Sequence, residues 1–203
     1  MAAQEDKMTN LIGICGFATA GKDSFARFIK ELRPQEGGNH LGLKTLSFAH
    51  ALRKELEDFV QQQLGISTFT QEPKEKEIIR PLLVCWGTEI MRKQIDAEYW
   101  VKKIEKVVEI NRKSKIVSII TDVRFDNEVE WIRSQGGKTI YINRENIGPI
   151  NKDEAAFTMP LQNKCDLIFS WPTLSDFENE GKSLVNEFLI KNNLCHLTTP
   201  TRN

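Results

Sequence analysis

Hydrophobic positions along the chain alternate between short unbroken runs and runs spaced three or four apart. Leu11 to Cys15 is an unbroken run and predicts a buried strand. Phe25, Phe28, Ile29 and Leu32 then recur at helical spacing until Pro34 and the Gly37, Gly38 pair stop the pattern. Leu43 to Phe48 predicts a second strand. It is followed by Leu52, Leu56, Phe59, Val60 and Leu64 on one helical face, with Gly65 as the stop. Ser67 to Glu75 is polar and predicts a loop, and Pro81 begins or kinks a helix because it has no N–H to give the preceding turn. Trp100, Val101, Ile104, Val107 and Val108 mark an amphipathic helix leading into "KIVSIITD", a strand apolar enough to be covered on both faces. Val129 and Ile132 predict a short helix ending near Gly136 and Gly137, and "KTIYIN" and "DLIFS" predict the last two strands. Between those strands, Arg144 to Lys164 is polar and punctuated by Gly148, Pro149 and Pro160, as a mobile lid would be. Ser175 with Glu178 three residues on predicts a capping box, opening a helix with Phe177, Leu184, Val185, Phe188 and Leu189; the tail after Asn192 is expected to fray.

Strands that alternate with helices imply an α/β protein with a five-stranded parallel sheet covered by helices on both faces, a three-layer sandwich. A length of 203 residues, 40% of them hydrophobic, suits one domain over 1–203 with a lid at about 144–164. Lys plus Arg and Asp plus Glu both number 28. With no net charge there is no broad basic field for nucleic acid or an anionic membrane, so any anion must be held by local clusters. Cys15, Cys85, Cys165 and Cys195 lie too far apart in sequence for a zinc motif and read as thiols in a reducing compartment. The first ten residues are polar and no apolar run approaches a membrane span, so a cytoplasmic protein is expected.

The chemistry concentrates in "GFATAGKDSF", Gly16 to Phe25. Gly, four residues, Gly, Lys arises by chance in roughly 6% of chains this long, so the string alone is weak. Its setting is stricter, because it leaves an apolar strand and opens an amphipathic helix. That geometry aims backbone N–H groups and a helix N-terminus at a phosphate. Gly16 and Gly21 let the backbone wrap the anion, Thr19 and Ala20 complete the wrap, and Lys22 supplies a point charge. Asp23 stands where a Ser or Thr is usual. Either its carboxylate or the Ser24 hydroxyl is placed to hold a metal ion, and both remain open.

"GKDS" after a strand resembles the loop of phage-type deoxynucleoside monophosphate kinases and of animal phosphomevalonate kinases, in which Asp stands at that place. Two longer stretches are similar to the nucleotide kinases: "RPLLVCWGTEIMRKQIDAEYWVKKI", Arg80 to Ile104, and "ITDVRFDNEVEWI", Ile120 to Ile132. The resemblance runs over most of the chain in matching order. It implies a P-loop kinase using ATP and Mg2+ on small-molecule nucleotides, with no nucleic-acid or membrane partner. If the chain assembles, a homodimer is expected from the frequency of such symmetry. Gly16, Thr19, Ala20, Gly21, Lys22, Asp23 and Ser24 would hold ATP. Asp122, at the carboxyl end of its strand, would place the metal with Asp23 or Ser24. Arg124 would grip the acceptor phosphate and Glu128 would orient an arginine. The resemblance also assigns Arg80 and Arg53 to the acceptor, although Ala51 and Arg53 stand where the family usually has Pro and Lys. Arg92, another charge in an apolar helix, is as readily solvent-facing. Tyr99 and Trp100 read either as helix-core residues or, for Trp100, as a wall of the nucleoside pocket that Asp96 would cap or brace, while His50 is expected to be structural or solvent-facing. Arg144 would close from the lid over the transferred phosphoryl. The family's His-x-Ser-Glu pattern there is replaced by "NKDE", keeping only Glu154.

Thr121, the "GTEI" segment and the Tyr99, Trp100 pair favour the nucleotide enzyme over a phosphomevalonate kinase. A non-catalytic ATP-binding regulator would have no use for so many arginines outside the loop.

Overall fold

The structure is a computed structural model describing residues 9–33 and 42–198. The polar start at 1–8, the Pro34, Gly37, Gly38 stop and residues 199–203 lie outside the described residues. By internal contacts the chain divides into two compact units, one up to Leu46 and from Val108 onward, the other Ser47–Val107.

The first unit is built on β1 (Leu11–Cys15), β2 (Gly42–Leu46), β3 (Ile116–Val123), β4 (Lys138–Arg144) and β5 (Leu167–Trp171). All pairings are parallel, in the order β2-β3-β1-β4-β5. Each parallel step needs a crossover, which is why every strand is followed by helical sequence. Helices α1 (Lys22–Glu31) and α6 (Phe177–Lys191) cover one face. There Phe25, Phe28 and Ile29 of α1 and Val185 and Leu189 of α6 bury against Ile12, Ile14, Ile119, Ile140 and Ile142. On the other face lies α5 (Asp126–Ser134), with Val129 and Ile132 fully buried. Every residue of β1 is buried. Its apolar run therefore reads as unbroken rather than alternating. β1 and β3 lie side by side although β2 separates them in sequence, so their carboxyl ends form the crevice where such sheets bind ligands.

The second unit holds α2 (Phe48–Leu64), α3 (Pro73–Val84) and a π-helical stretch, Cys85–Ile95. Its core is Leu56, Val60 and Ile79. The helix α4 (Tyr99–Lys113) follows. Pro81 sits inside α3 rather than at its start, and the turns beyond it are wider, consistent with the N–H it withholds from the ladder. No helix among the described residues is long and apolar enough to cross a membrane.

Two local expectations are corrected. The cap of α6 is Asp176, whose carboxylate accepts from the Asn179 N–H at 3.1 Å, while Ser175 donates to Glu180. A carboxylate one residue nearer the helix takes the orphan N–H first. The chain past Asn192 is docked through residue 198 rather than frayed. Leu194 and Leu197 are buried in the core, and Arg33 donates to the Leu197 carbonyl at 3.1 Å. Their spacing of three puts both on one side of a short turn.

The join between β4 and β5 is pinned by Asp166. Its carboxylate accepts from the Thr139 N–H and hydroxyl, both at 2.7 Å, and from Arg133 Nε at 3.0 Å. Burial works against the charged form, but the two Thr139 hydrogen bonds and the Arg133 charge outweigh it and hold this acid below its ordinary value. Asp166→Asn is expected to cost about 1–3 kcal/mol at neutral pH. A depressed acid stabilises above its unfolded pKa and loses that effect as pH falls through its folded pKa. The gap between wild type and variant in urea unfolding should therefore narrow below about pH 4.

Candidate phosphoryl-transfer site

At the end of β1 the chain turns through residues whose backbone excludes most side chains. Gly16 has φ 135°, and a Cβ there would stand 2.5 Å from the Ile142 carbonyl oxygen of β4. Gly21, at φ 89°, forms the N-cap of α1, and a Cβ there would meet the buried Trp171 indole nitrogen at 2.6 Å. Thr19, a β-branched residue, is held at φ 62°, its hydroxyl donating to the Ala18 carbonyl at 2.6 Å. Strain of this kind persists only where the surroundings impose it. Ala20 is buried beneath the turn. No side chain caps α1. Its first-turn N–H groups are thus left for an anion.

Lys22, the first residue of α1, reaches back to the carbonyls of Gly16 at 2.7 Å and Phe17 at 2.5 Å. An ammonium has three N–H donors, so this brace leaves one for a ligand. Burial lowers the Lys22 pKa, and the nearby Arg124 charge lowers it further, against the opposing pull of Asp23, Glu154 and Asp122. Lys22 thus feels the charges of Arg124, Asp23, Glu154 and Asp122, which come from α1, the end of β3 and the segment after β4.

Each is positioned for a structural reason. Asp122 lies near the carboxyl end of β3, next to Val123, which is in register with Cys15. Asp23 is exposed in the first turn of α1 and Ser24 is half-buried beside it. Arg124 is exposed at the start of the turn into α5. The buried Glu128 accepts from the backbone N–H of Arg124 at 2.8 Å and of Phe125 at 3.1 Å. It thus sets the arginine through the main chain. Glu154 is 5% exposed; its carboxylate accepts from the Ala18 N–H and the Ile150 N–H, both at 3.2 Å. Sequence reasoning singled out this acid only as the remnant of a motif. Its contact crosses 136 positions of sequence, with no local signal to reveal it.

The segment from Arg144 is more ordered than its polarity suggests. It forms a π turn at Glu154–Thr158 and a 3-10 turn at Met159–Asn163, with Glu154, Thr158 and Leu161 buried. The Arg144 guanidinium carbon lies 5.8 Å from the centre of the Phe177 ring.

In the second unit, Arg53 is half-buried on α2 and Arg80 exposed on α3, neither with a carboxylate partner among the described residues. Arg92 is half-buried and donates to the Ala97 carbonyl at 3.4 Å. Trp100 is 3% exposed and its indole N–H donates to the Gly87 carbonyl at 2.9 Å. The expectation of an open stacking face there is corrected: the ring's apolar area is spent on the core. Tyr99 is likewise a brace, donating with Trp86 and Lys103 to the Glu55 carboxylate at 2.8, 3.0 and 2.9 Å. Asp96 braces α4 through the Glu98 N–H and Lys102. His50 is exposed against the Phe69 ring, its backbone N–H bonded to Ser47.

Among the described residues no three His, Cys, Asp or Glu side chains are arranged to hold a metal by themselves. Magnesium needs only one or two carboxylates when phosphate oxygens and water complete its shell. Asp122 with Asp23 or Ser24 meets that requirement.

A glycine turn between β1 and α1, in a parallel sheet of this order, defines a P-loop kinase fold. A sugar kinase from Janibacter sp. HTCC2649, solved without ligand, matches over 96% of this chain and 99% of its own, with 12% identity and a TM-score of 0.51. Shikimate kinase from Bacteroides thetaiotaomicron matches over 91% and 98%, with 14% identity and a TM-score of 0.43. The model of the deoxynucleotide monophosphate kinase family matches residues 35–168, and the chain belongs to that family. Those residues include Arg53, Arg80, Trp100, Asp122, Arg124 and Arg144; the glycine turn precedes them. The uncharacterized protein ORF77 of Ictalurid herpesvirus 1 (strain Auburn) is 30% identical over 115 residues, which are 55% of this chain and 50% of that protein. The chain thus spans about half the length of that relative.

Proposed function

We propose that this protein transfers the γ-phosphoryl of ATP to a deoxynucleoside monophosphate, giving ADP and the diphosphate, as one cytoplasmic kinase domain with 144–164 as its lid. The observation that carries the reading is a glycine turn with strained backbone and an uncapped helix N-terminus, on which Lys22 is braced, with Arg124 one residue past the Val123 that is in register with Cys15. One cation is braced on the donor loop, the other projects from the adjacent strand end. A phosphoryl group passing between two phosphates needs charge neutralised on both sides and little covalent help.

The backbone of Gly16 to Ser24 wraps the triphosphate, and Lys22 uses its remaining N–H on the transferring group. Arg124, set by Glu128, grips the acceptor phosphate. Arg144 leaves Phe177 to close over the transferred group. Asp122 with Asp23 or Ser24 would hold Mg2+, which would supply positive charge to the donor's phosphates.

The test is coupled ADP release with the four common deoxynucleoside monophosphates, their ribose counterparts and phosphomevalonate. Turnover on at least one deoxynucleotide is expected. Turnover on phosphomevalonate alone would favour the other class bearing this loop, and ATP binding without turnover would favour a regulator.

A further inference from the structure

With Trp100 in the core, the acceptor's base needs another wall. Phe125 directly follows Arg124, and its ring centre lies 5.2 Å from that of Phe157 at an interplanar angle of 45°. Phe157 belongs to the Glu154–Thr158 turn and is 41% exposed. Two buried acids hold this ring pair in place. Glu128 fixes the Arg124 and Phe125 backbone, and Glu154 ties the turn carrying Phe157 to the Ala18 N–H of the glycine turn. The rings therefore stand at a set position beside the charge cluster. A large ring held partly in water costs solvation free energy, which a stacked heteroaromatic ring would recover.

We infer that Phe125 and Phe157 form the surface on which the base of the acceptor nucleotide stacks while Arg124 holds its phosphate. This rests on the acceptor proposed above and assigns its base site. Phenyl rings offer no hydrogen bond to a base edge, so the wall contributes affinity without selecting among bases.

The test is calorimetric titration of wild type, Phe157→Ala and Phe157→Leu with deoxynucleoside monophosphates, deoxyribose 5-phosphate and a non-hydrolysable ATP analogue, after thermal melts show all three folded. Phe157→Ala should weaken deoxynucleotide binding by about 5- to 150-fold, the range that loss of one stacked ring gives. Deoxyribose 5-phosphate, which lacks the base, and the ATP analogue should bind within about twofold of wild type, the margin left when no stacking is lost. Phe157→Leu should fall between, since it keeps apolar area without a flat face. Unchanged deoxynucleotide binding in Phe157→Ala, or an equal loss for deoxyribose 5-phosphate, overturns the base site and leaves the kinase reading intact. If wild type binds no deoxynucleotide, the acceptor itself is wrong and the base site falls with it.

Discussion

Replacing Lys22 with alanine is expected to lower turnover by about 10²- to 10³-fold, the scale seen when one preorganised donor to transition-state charge is removed. The ammonium is braced by the Gly16 and Phe17 carbonyls, so it meets the ligand without being reorganised. Its removal also takes a donor from the carbonyls of two buried residues, Gly16 and Phe17, although the half-buried lysine leaves space that water can enter. Any loss of melting temperature should therefore be small beside the collapse of turnover. Lys22→Arg should not rescue, because a planar guanidinium cannot take the ammonium's place between two carbonyls and a phosphate. Burial and the Arg124 charge both favour the neutral amine. As pH rises, Lys22 thus loses its proton below the ordinary lysine range, and apparent ATP affinity should decline there. Turnover in Lys22→Ala within a few-fold of wild type would remove this lysine from the mechanism.

The second large effect is expected at Gly16. At φ 135° an L-residue is strained, and its Cβ would lie 2.5 Å from the Ile142 carbonyl oxygen, an atom of the central sheet that cannot swing aside. Left-handed backbone costs about 1–2 kcal/mol, and overpacking against fixed atoms adds about 1–3 kcal/mol. Gly16→Ala should therefore lose about 2–5 kcal/mol in urea unfolding and bind an ATP analogue far more weakly, since relief requires moving the turn. Gly148→Ala is the control: a Cβ there meets nothing within 4 Å. It should stay within about 0.5 kcal/mol of wild type. Equal unfolding midpoints for the two variants would show that the turn has room the structure denies it.

Much of this candidate site is legible in the sequence. The turn from Gly16 to Ser24 announces itself because strand, glycines and helix are contiguous, and local spacing is enough to orient backbone N–H groups. Asp122 and Arg124 were legible as a strand end followed by charge. Trp100 was misread because burial and stacking both call for an aromatic on an apolar face, and only the Gly87 carbonyl 13 positions away shows which applies. Asp176 was passed over for Ser175 because either residue type caps a helix and one position separates them.

The order of apolar runs and glycines by itself determined that strands and helices alternate, that the sheet is parallel and that a glycine turn follows the first strand. These rest on periodicities of a few residues, set by backbone geometry. Tertiary structure alone decided that Glu154 reaches the Ala18 N–H, that Arg124 shares a field with Lys22, and that Phe125 meets Phe157. Such contacts join segments brought together by strand order and core packing, and no local spacing encodes them.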